Sequence, residues 1–346
     1  MGVYLAGITP ADVSAFGQME QLLQRTGLRL DKNLDYSCGL FDDDGCLLAV
    51  GSSFGCTLRC LAVAPEHRGE GLMNLVVTHL VERLVERGTS RVFLCTKYSN
   101  APFFRGLGFC EIVQSEDGIC FMENRRGAFD AYLQRLAGLR IEGRSAAVVM
   151  HANPFTLGHR YLLERAAADN DRVYLFLLSE ETGPIPFSVR KELVLRNIAD
   201  MPQVLCLDAG PYMISSATFP SYFVPDDDEA ILAHAGIDLK IFLRVAEVLG
   251  IGARYVGEEK SSHVTAVYNH MMSRLLPPRG VDVCEIPRLT KDGVVVSASS
   301  VRQAIHDGDP ETLRLMLSDP SLRYWESAEA RPVVEAIRRM ASPRHH

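Results

Sequence analysis

The spacing of apolar and polar positions divides the chain into two series of strands and helices. In the first series, CGLFDDDGCLLAVGSSF predicts two strands around a turn at Asp44-Gly45. CTLRCLAVAPEHRGEG predicts a strand that runs into a glycine-bearing loop. LMNLVVTHLVERLVERG carries Leu72, Val76, Leu80 and Leu84 at helical spacing and stops at Gly88. RVFLCTK predicts another strand, and NAPFFRGLGFCEI a short helix followed by a strand. Between about Glu123 and Arg144 the pattern changes to a charged, helical stretch with no strand-like apolar run. The second series opens with SAAVVM, apolar almost throughout, as expected of a strand buried on both faces of a parallel sheet. RYLLERAAA predicts a helix. RVYLFLL, QVLCLD, ARYVG and VDVCEIP predict strands, with helices such as DLKIFLRVAEVLG and VTAVYNHMMSRLL between them, and the chain from about Ala304 reads as helical. Such alternation predicts a doubly wound sheet whose ligands gather at the carboxyl ends of its strands. The expected organisation is an α/β domain over residues 1–128, a connector over 129–144 and a Rossmann-like domain over 145–346.

Composition narrows the function classes. With 346 residues, 47% hydrophobic and 23% charged, the chain has material for two ordinary globular cores. A net charge of −7 and the lack of a long basic run argue against a nucleic-acid partner. The nine cysteines are odd in number, seven fall before position 121, and none forms a CxxC pair, so reduced thiols are expected rather than a disulfide framework or a zinc cluster. No basic stretch precedes an apolar core at the N-terminus, and no apolar run approaches the ~18 residues of a membrane span. The expectation is a cytoplasmic protein with no membrane partner and no protein-held metal.

The richest chemistry lies in VVMHANPFTLGHRYLLERA. A buried strand ends at His151, Asn153-Pro154 makes a turn, and Thr156-Leu157-Gly158-His159 opens a helix. A helix N-terminus offers unpaired N–H groups and a positive dipole end, Gly158 permits close approach of an anion, and His159 projects a donor from the first turn. A second element, VVVSASSVRQAI, puts Ser297, Ser299 and Arg302 at another helix start, where hydroxyls and a guanidinium suit an anionic leaving group. Each string alone is compatible with simple helix capping. Together and in this order they resemble the HxGH and ISSxxx[RK] elements of the nucleotidylyltransferase superfamily, with Thr156 in the first histidine position. Arg190 and Lys191, near a helix start, are either phosphate-facing or part of a solvated helix face. Gly257, Glu258 and Glu259 end a strand; the glutamates either hold adenosine or a metal or are surface charges.

HANPFTLGHRYL, ISSATFPSYF, YVGEE, VTAVYN and SASSVR together resemble the citrate lyase ligase family over nearly the whole chain. The resemblance implies an AMP-forming acid–thiol ligase that uses ATP and Mg²⁺. Acetate would be activated as acetyl adenylate, and the acetyl group passed to the CoA-like prosthetic thiol on the acyl carrier subunit of citrate lyase. His159 and Arg302 would be catalytic. Asn153, Thr156, Gly158, Ser297, Ser299, Arg190, Lys191, Gly257 and Glu258 would meet ATP, and Ser215, Ser216 and Tyr222 the acyl or thiol group. In the first domain, HRGEGLMNLVVTHL and SNAPFFRGLGF resemble the cofactor elements of GNAT acyltransferases. Arg68, Gly69, Gly71 and Asn100 would hold the CoA-like arm. Glu66 is an unfavourable neighbour for a pyrophosphate, and Phe104 stands where many GNAT enzymes carry a tyrosine that protonates the departing thiolate. The fold class expected is therefore a GNAT-like α/β domain followed by a doubly wound, parallel-sheet nucleotidylyltransferase domain. Two other activities remain open on sequence: a dinucleotide-forming nucleotidyltransferase with a regulatory first domain, and an acetyltransferase whose second domain senses nucleotide.

Overall fold

A computed structural model describes residues 2–181, 183–213, 219–220, 222, 227–258 and 263–342. The chain forms two compact units, Met1–Tyr132 with Thr218–Ile241, and Leu133–Ala217 with Phe242–His346.

The first unit holds strands β1 (Val3–Ile8), β2 (Tyr36–Asp42), β3 (Leu47–Phe54), β4 (Thr57–Val63), β5 (Phe93–Lys97), β6 (Cys110–Gln114) and β7 (Ile119–Glu123). Helices α1 (Val13–Arg25), α2 (Leu72–Glu86) and α3 (Ala101–Gly106) accompany them. The strands form one sheet in the order β1-β2-β3-β4-β5-β7-β6, in which β4 and β5 run parallel and the other neighbours antiparallel. The helical spacing in α2 does what it predicts: Leu72, Val76, Leu80 and Leu84 are buried in one cluster with Leu40, Ala49, Leu58 and Leu94 of the sheet. Each such side chain contributes about 1.5–3 kcal/mol through burial. Helix and sheet meet closely at Gly51 of β3, where a Cβ atom would lie 2.5 Å from Val76 Cγ1 and 2.9 Å from Leu80 Cδ1.

The charged stretch expected as a connector is helix α4 (Ala128–Ala137), which begins in the first unit and ends in the second. Residues 218–241, from the C-terminal half, belong to the first unit and include the start of α7 (Asp227–Leu249). The contiguous division at 128 and 145 therefore leaves out a segment that returns to the first unit. Lys240 Nζ bonds to the Gln114 carbonyl at 2.8 Å, and Phe219 packs on the ring of His234.

The second unit is built on β8 (Ser145–Met150), β9 (Arg172–Leu177), β10 (Val204–Asp208), β11 (Ile251–Gly257) and β12 (Asp282–Ile286). These five strands are all parallel, in the order β10-β9-β8-β11-β12. Helices α5 (Leu157–Asp169), α6 (Phe187–Asn197) and α8 (His263–Leu275) connect them, and a short hairpin of β13 (Thr290–Lys291) and β14 (Val294–Val295) follows β12. The chain then runs through α9 (Ala298–Asp307), α10 (Pro310–Met316), α11 (Asp319–Trp325) and α12 (Arg331–Arg338). The central strand β8 turns one way to β9 and the other to β11, which makes its carboxyl end the switch point where such sheets bind ligands. Ala146, Val148, Leu175 and Leu177 form the buried centre. A second cluster, with Leu193, Val301, Trp325 and Ile337, fastens α9 to α6 and the last helices.

Because no space remains at Gly51, Gly51→Ala should destabilise the full chain by about 1–3 kcal/mol, the usual cost of overpacking. Urea unfolding would read this as a lower midpoint at unchanged slope. An unchanged midpoint would mean that α2 does not hold its close approach to β3.

Candidate active site

The site grows from the loop between β8 and α5. Ala152 takes a left-handed conformation (φ 49°), the Asn153-Pro154 peptide is cis, and Thr156 caps α5. The Thr156 hydroxyl accepts from the His159 N–H at 3.4 Å, and the Thr156 N–H donates to His159 Nδ1 at 3.0 Å. With Nδ1 an acceptor, the neutral imidazole carries its proton on Nε2, which is the nitrogen left to act as a donor. Burial, and secondarily the charge of Arg288, push the imidazole down from 6.5 to about 4, so the ring is neutral at physiological pH. The ring of Phe155 stacks on it at 5.6 Å.

The second motif lies against the first. Arg302 of α9 is 4% exposed and its Nη1 donates to the Asn153 carbonyl at 2.6 Å. A Cβ on Gly158 would come within 3.2 Å of the Val296 carbonyl. Glycine thus favours the close approach of α5 to the chain entering α9, where a Cβ would push the backbone back by a few tenths of an ångström, and the N-termini of two helices meet at one place. Ser297 caps α9: its Oγ accepts from the Ser300 N–H at 3.1 Å and lies 3.0 Å from Ser299 Oγ. Asn153, Gly158, His159, Ser297, Ser299 and Arg302 are therefore together. The hydroxyls of Thr156, which is 2% exposed, and of Ser297 are engaged as helix caps, a different task from the ATP contacts expected of them.

Other expected residues have other partners. Arg190 is 2% exposed and faces backbone: Nε bonds to the Ile185 carbonyl, Nη1 to those of His151 (2.7 Å) and Leu178 (2.9 Å), and Nη2 to that of Glu180. It holds the strand ends in place and does not face phosphate. Lys191 pairs with Asp208 at the end of β10 at 2.8 Å. Gly257 faces open space. The Glu258 N–H donates to Ile286, and its carbonyl accepts from Arg288 Nε at 2.9 Å. Arg288 carries no motif of its own in the sequence. It is an exposed guanidinium just beyond the carboxyl end of β12, close enough to His159 to lower its pKa. Its place after a strand end was the available signal. Ser215, Ser216 and Glu259 lie outside the described residues.

In the first unit a cavity of about 660 Å³ brings together Arg68, Gly69, Gly71 and Asn100. Gly69 (φ 90°) and Gly71 (φ 77°) adopt the left-handed backbone that a Cβ disfavours, and Gly71 leaves the first turn of α2 without a side-chain cap. Glu66 does not spoil this mouth. Backbone hydrogen bonding, and then its pair with Arg25 at 2.9 Å, hold its carboxyl below the usual range, and it does not line the cavity. Phe104 lines it with a bare ring, as the sequence implies. Tyr222, expected to meet the acyl or thiol group, lines this first-unit cavity. The return of residues 218–241 is the reason.

Residues 145–325 match the family model of the citrate lyase ligase C-terminal domain, and residues 31–109 that of the acetyltransferase (GNAT) family. The chain is 39% identical to the citrate (pro-3S)-lyase ligase of Klebsiella pneumoniae over 284 residues, covering 80% of this chain and 83% of that protein. It is 32% identical to the corresponding ligase of Escherichia coli K12 over 335 residues, 94% of each. Among solved structures, the ribosomal-protein-S18-alanine N-acetyltransferase of E. coli aligns at 20% identity and a TM-score of 0.28, over 35% of this chain and 92% of that one. E. coli ElaA aligns at 15% identity and a TM-score of 0.32, over 36% and 100%. No helix among the described residues is long and apolar enough to cross a membrane.

The depressed His159 pKa makes stability depend on pH. Between pH 6.5 and about 4 the unfolded chain takes up a proton that the folded chain refuses. The stabilisation is therefore complete above pH 6.5 and is lost as pH falls through that window, by at most about 3 kcal/mol. Unfolding free energies at pH 7 and pH 5 should differ less for His159→Gln than for the unsubstituted chain. An equal difference in both would place the imidazole in a solvated setting.

Proposed function

The chain belongs to the citrate lyase ligase family, and from that premise we propose that it activates acetate with ATP and acetylates the CoA-like thiol of the citrate lyase acyl carrier subunit. It is a ligase acting on citrate lyase; the adenylate route, the acid and the arm are our reading. The observation that carries it is the meeting of the α5 and α9 N-termini beside His159 Nε2 and the buried Arg302, an arrangement suited to a polyphosphate.

In this reading an acetate oxygen attacks the α-phosphorus, the bond to the β-phosphate bridging oxygen breaks, and acetyl adenylate and pyrophosphate form. Charge grows on the α-phosphate oxygens and on the leaving pyrophosphate. The Nε2–H of His159, the open amides of the two helix starts, Arg302 and Arg288 face that charge as fixed dipoles and cations. Among the described residues no group of three His, Cys, Asp or Glu is placed to hold a metal. A Mg²⁺ carried on the nucleotide's own phosphates needs no such cluster, and would neutralise part of their charge. The thiol of the arm then attacks the acetyl carbonyl, the thioester forms and AMP leaves. Arg68, Gly69, Gly71 and Asn100 support a binding role for the first-unit cavity, with its loop amides toward the arm's phosphates.

Acetate-dependent ATP–pyrophosphate exchange tests the first step. His159→Ala should lower it by about 10²–10³-fold, the usual cost of one preorganised donor to developing charge. Exchange at the unsubstituted rate in a folded variant would remove the site from this chemistry. Met73 lines the cavity, so Met73→Trp should occlude it, slow acetylation of the carrier and leave exchange intact. Normal carrier acetylation by that variant would free the first unit of any arm-holding task.

A further inference from the structure

The first-unit cavity is a cleft between diverging strands. β4 and β5 pair only at Thr57–Phe93 and Leu58–Leu94. Beyond these positions Cys60 turns into the left-handed region (φ 52°), the β3–β4 register breaks between Val50 and Ser52, and the two strands part. The cavity fills the gap. Its outer end is the Gly69–Gly71 loop, its sides include Val63 and Thr96, and its inner end, where the strands converge, is formed by Cys95 and Tyr222.

Tyr222 closes that inner end. It is 4% exposed, its hydroxyl donates to the Cys95 carbonyl at 3.2 Å, and its own carbonyl accepts from the Arg29 N–H at 2.7 Å. Cys95 is the residue next after the last paired position of β5, so the tyrosine occupies the point at which the cleft would otherwise continue between the strands. The surroundings are rigid. The Cys60 thiol and the Asp31–Arg59 ion pair, at 2.9 Å with both side chains almost wholly buried, lie near enough to act on the phenol. A ring held at both ends among buried groups does not swing aside at little cost.

We propose that Tyr222 is a specificity stop that admits a CoA-type arm ending in a free thiol and rejects the same arm once it carries an acyl group. The proposal rests on the reading of this cavity as the arm's site. An arm anchored by its phosphates at Gly69–Gly71 extends its sulfur toward the convergence of β4 and β5. A free thiol ends there. An acetyl thioester adds a carbonyl and a methyl group, which need the space that the tyrosine ring fills. The free-thiol arm is thereby held, leaves the cavity to be acetylated and does not return to it as product, and acyl-CoA in solution does not compete for the cavity.

Calorimetric titration of the full chain with CoA and with acetyl-CoA tests this. The unsubstituted chain should bind acetyl-CoA more weakly than CoA by about tenfold or more, the scale of a modest overpacking penalty. Tyr222→Gly should bring the two affinities within about threefold by strengthening acetyl-CoA binding. Tyr222→Phe, which keeps the ring, should retain the discrimination. Equal affinities in the unsubstituted chain overturn the stop, as does undiminished discrimination in a folded Tyr222→Gly variant. If circular dichroism shows that Tyr222→Gly does not fold, the unsubstituted chain and Tyr222→Phe still decide. Loss of discrimination in Tyr222→Phe overturns the proposal. Binding of neither ligand instead overturns the arm reading on which the stop rests, and separates that failure from the other.

Discussion

Where parallel strands end, their last carbonyls have no further strand to pair with, yet in the second unit they must stay close to other buried backbone. Arg190 answers this with one side chain, donating to the carbonyls of His151, Leu178, Ile185 and Glu180. An unpaired buried carbonyl costs about 1–3 kcal/mol, so four gathered on one guanidinium fix the path of both loops that leave β8 and β9. The position of Asn153 follows, and its carbonyl receives Arg302 from α9. With that loop fixed, α5 starts against the Val296 carbonyl, an approach that the missing Cβ at position 158 eases. The ligand-facing surface is thus a consequence of backbone satisfaction behind it. Few of its parts are side chains aimed outward.

This construction explains why His159 is neutral. Burial denies a protonated imidazole its solvation, and the charge of Arg288 adds repulsion. In the proposed reaction the work is divided. Guanidinium groups, which do not lose their protons in proteins, would provide charge, and the imidazole a directed N–H whose tautomer is set by the Thr156 amide. A polyphosphate entering such a site meets a field that stays constant across physiological pH. Its own charge would raise the imidazole pKa, so binding and proton uptake by His159 are linked in the proposed reaction.

Much of this was legible in the sequence because it is carried by local patterns. The apolar spacing of Leu72 to Leu84, the almost wholly apolar SAAVVM strand and the alternation after it give the elements, and TLGH with SASSVR give two helix starts that do meet. The edge strand β1, VYLAGI, is apolar on both faces with no alternation and is exposed or half-buried apart from Ile8, so the pattern of apolar positions does not mark it as an edge strand. Arg190 was read as a phosphate ligand because residue type and helix position do not reveal which way a long side chain turns, and here it turns inward to carbonyls. Arg288 follows a strand end that the sequence does mark, VDVCEIP, but only the fold puts that end beside His159. Thr156 and Ser297 show a third limit. A hydroxyl at a helix start reads equally as a cap and as a ligand contact, and the geometry assigns both hydroxyls to capping.

The path of the chain sets a further constraint on what each unit can be. The first unit ends at Tyr132 and resumes over 218–241, and α7 then carries the chain onward without a break in helix. The returning segment is part of the unit's interior. Ala233, Ala235, Ile237 and Leu239 are buried, Lys240 reaches the Gln114 carbonyl, and a Cβ on Gly236 would touch Ser115 at 3.2 Å. The cavity that resembles a CoA site is therefore not a complete module of residues 1–128 joined to an enzyme. Its inner wall is supplied by Tyr222, a residue that follows the third strand of the other unit's sheet. A free-standing domain would have needed an inner wall of its own. This one has Phe104 without a hydroxyl and a cleft whose closure comes from later in the chain, which agrees with the binding role proposed for it above.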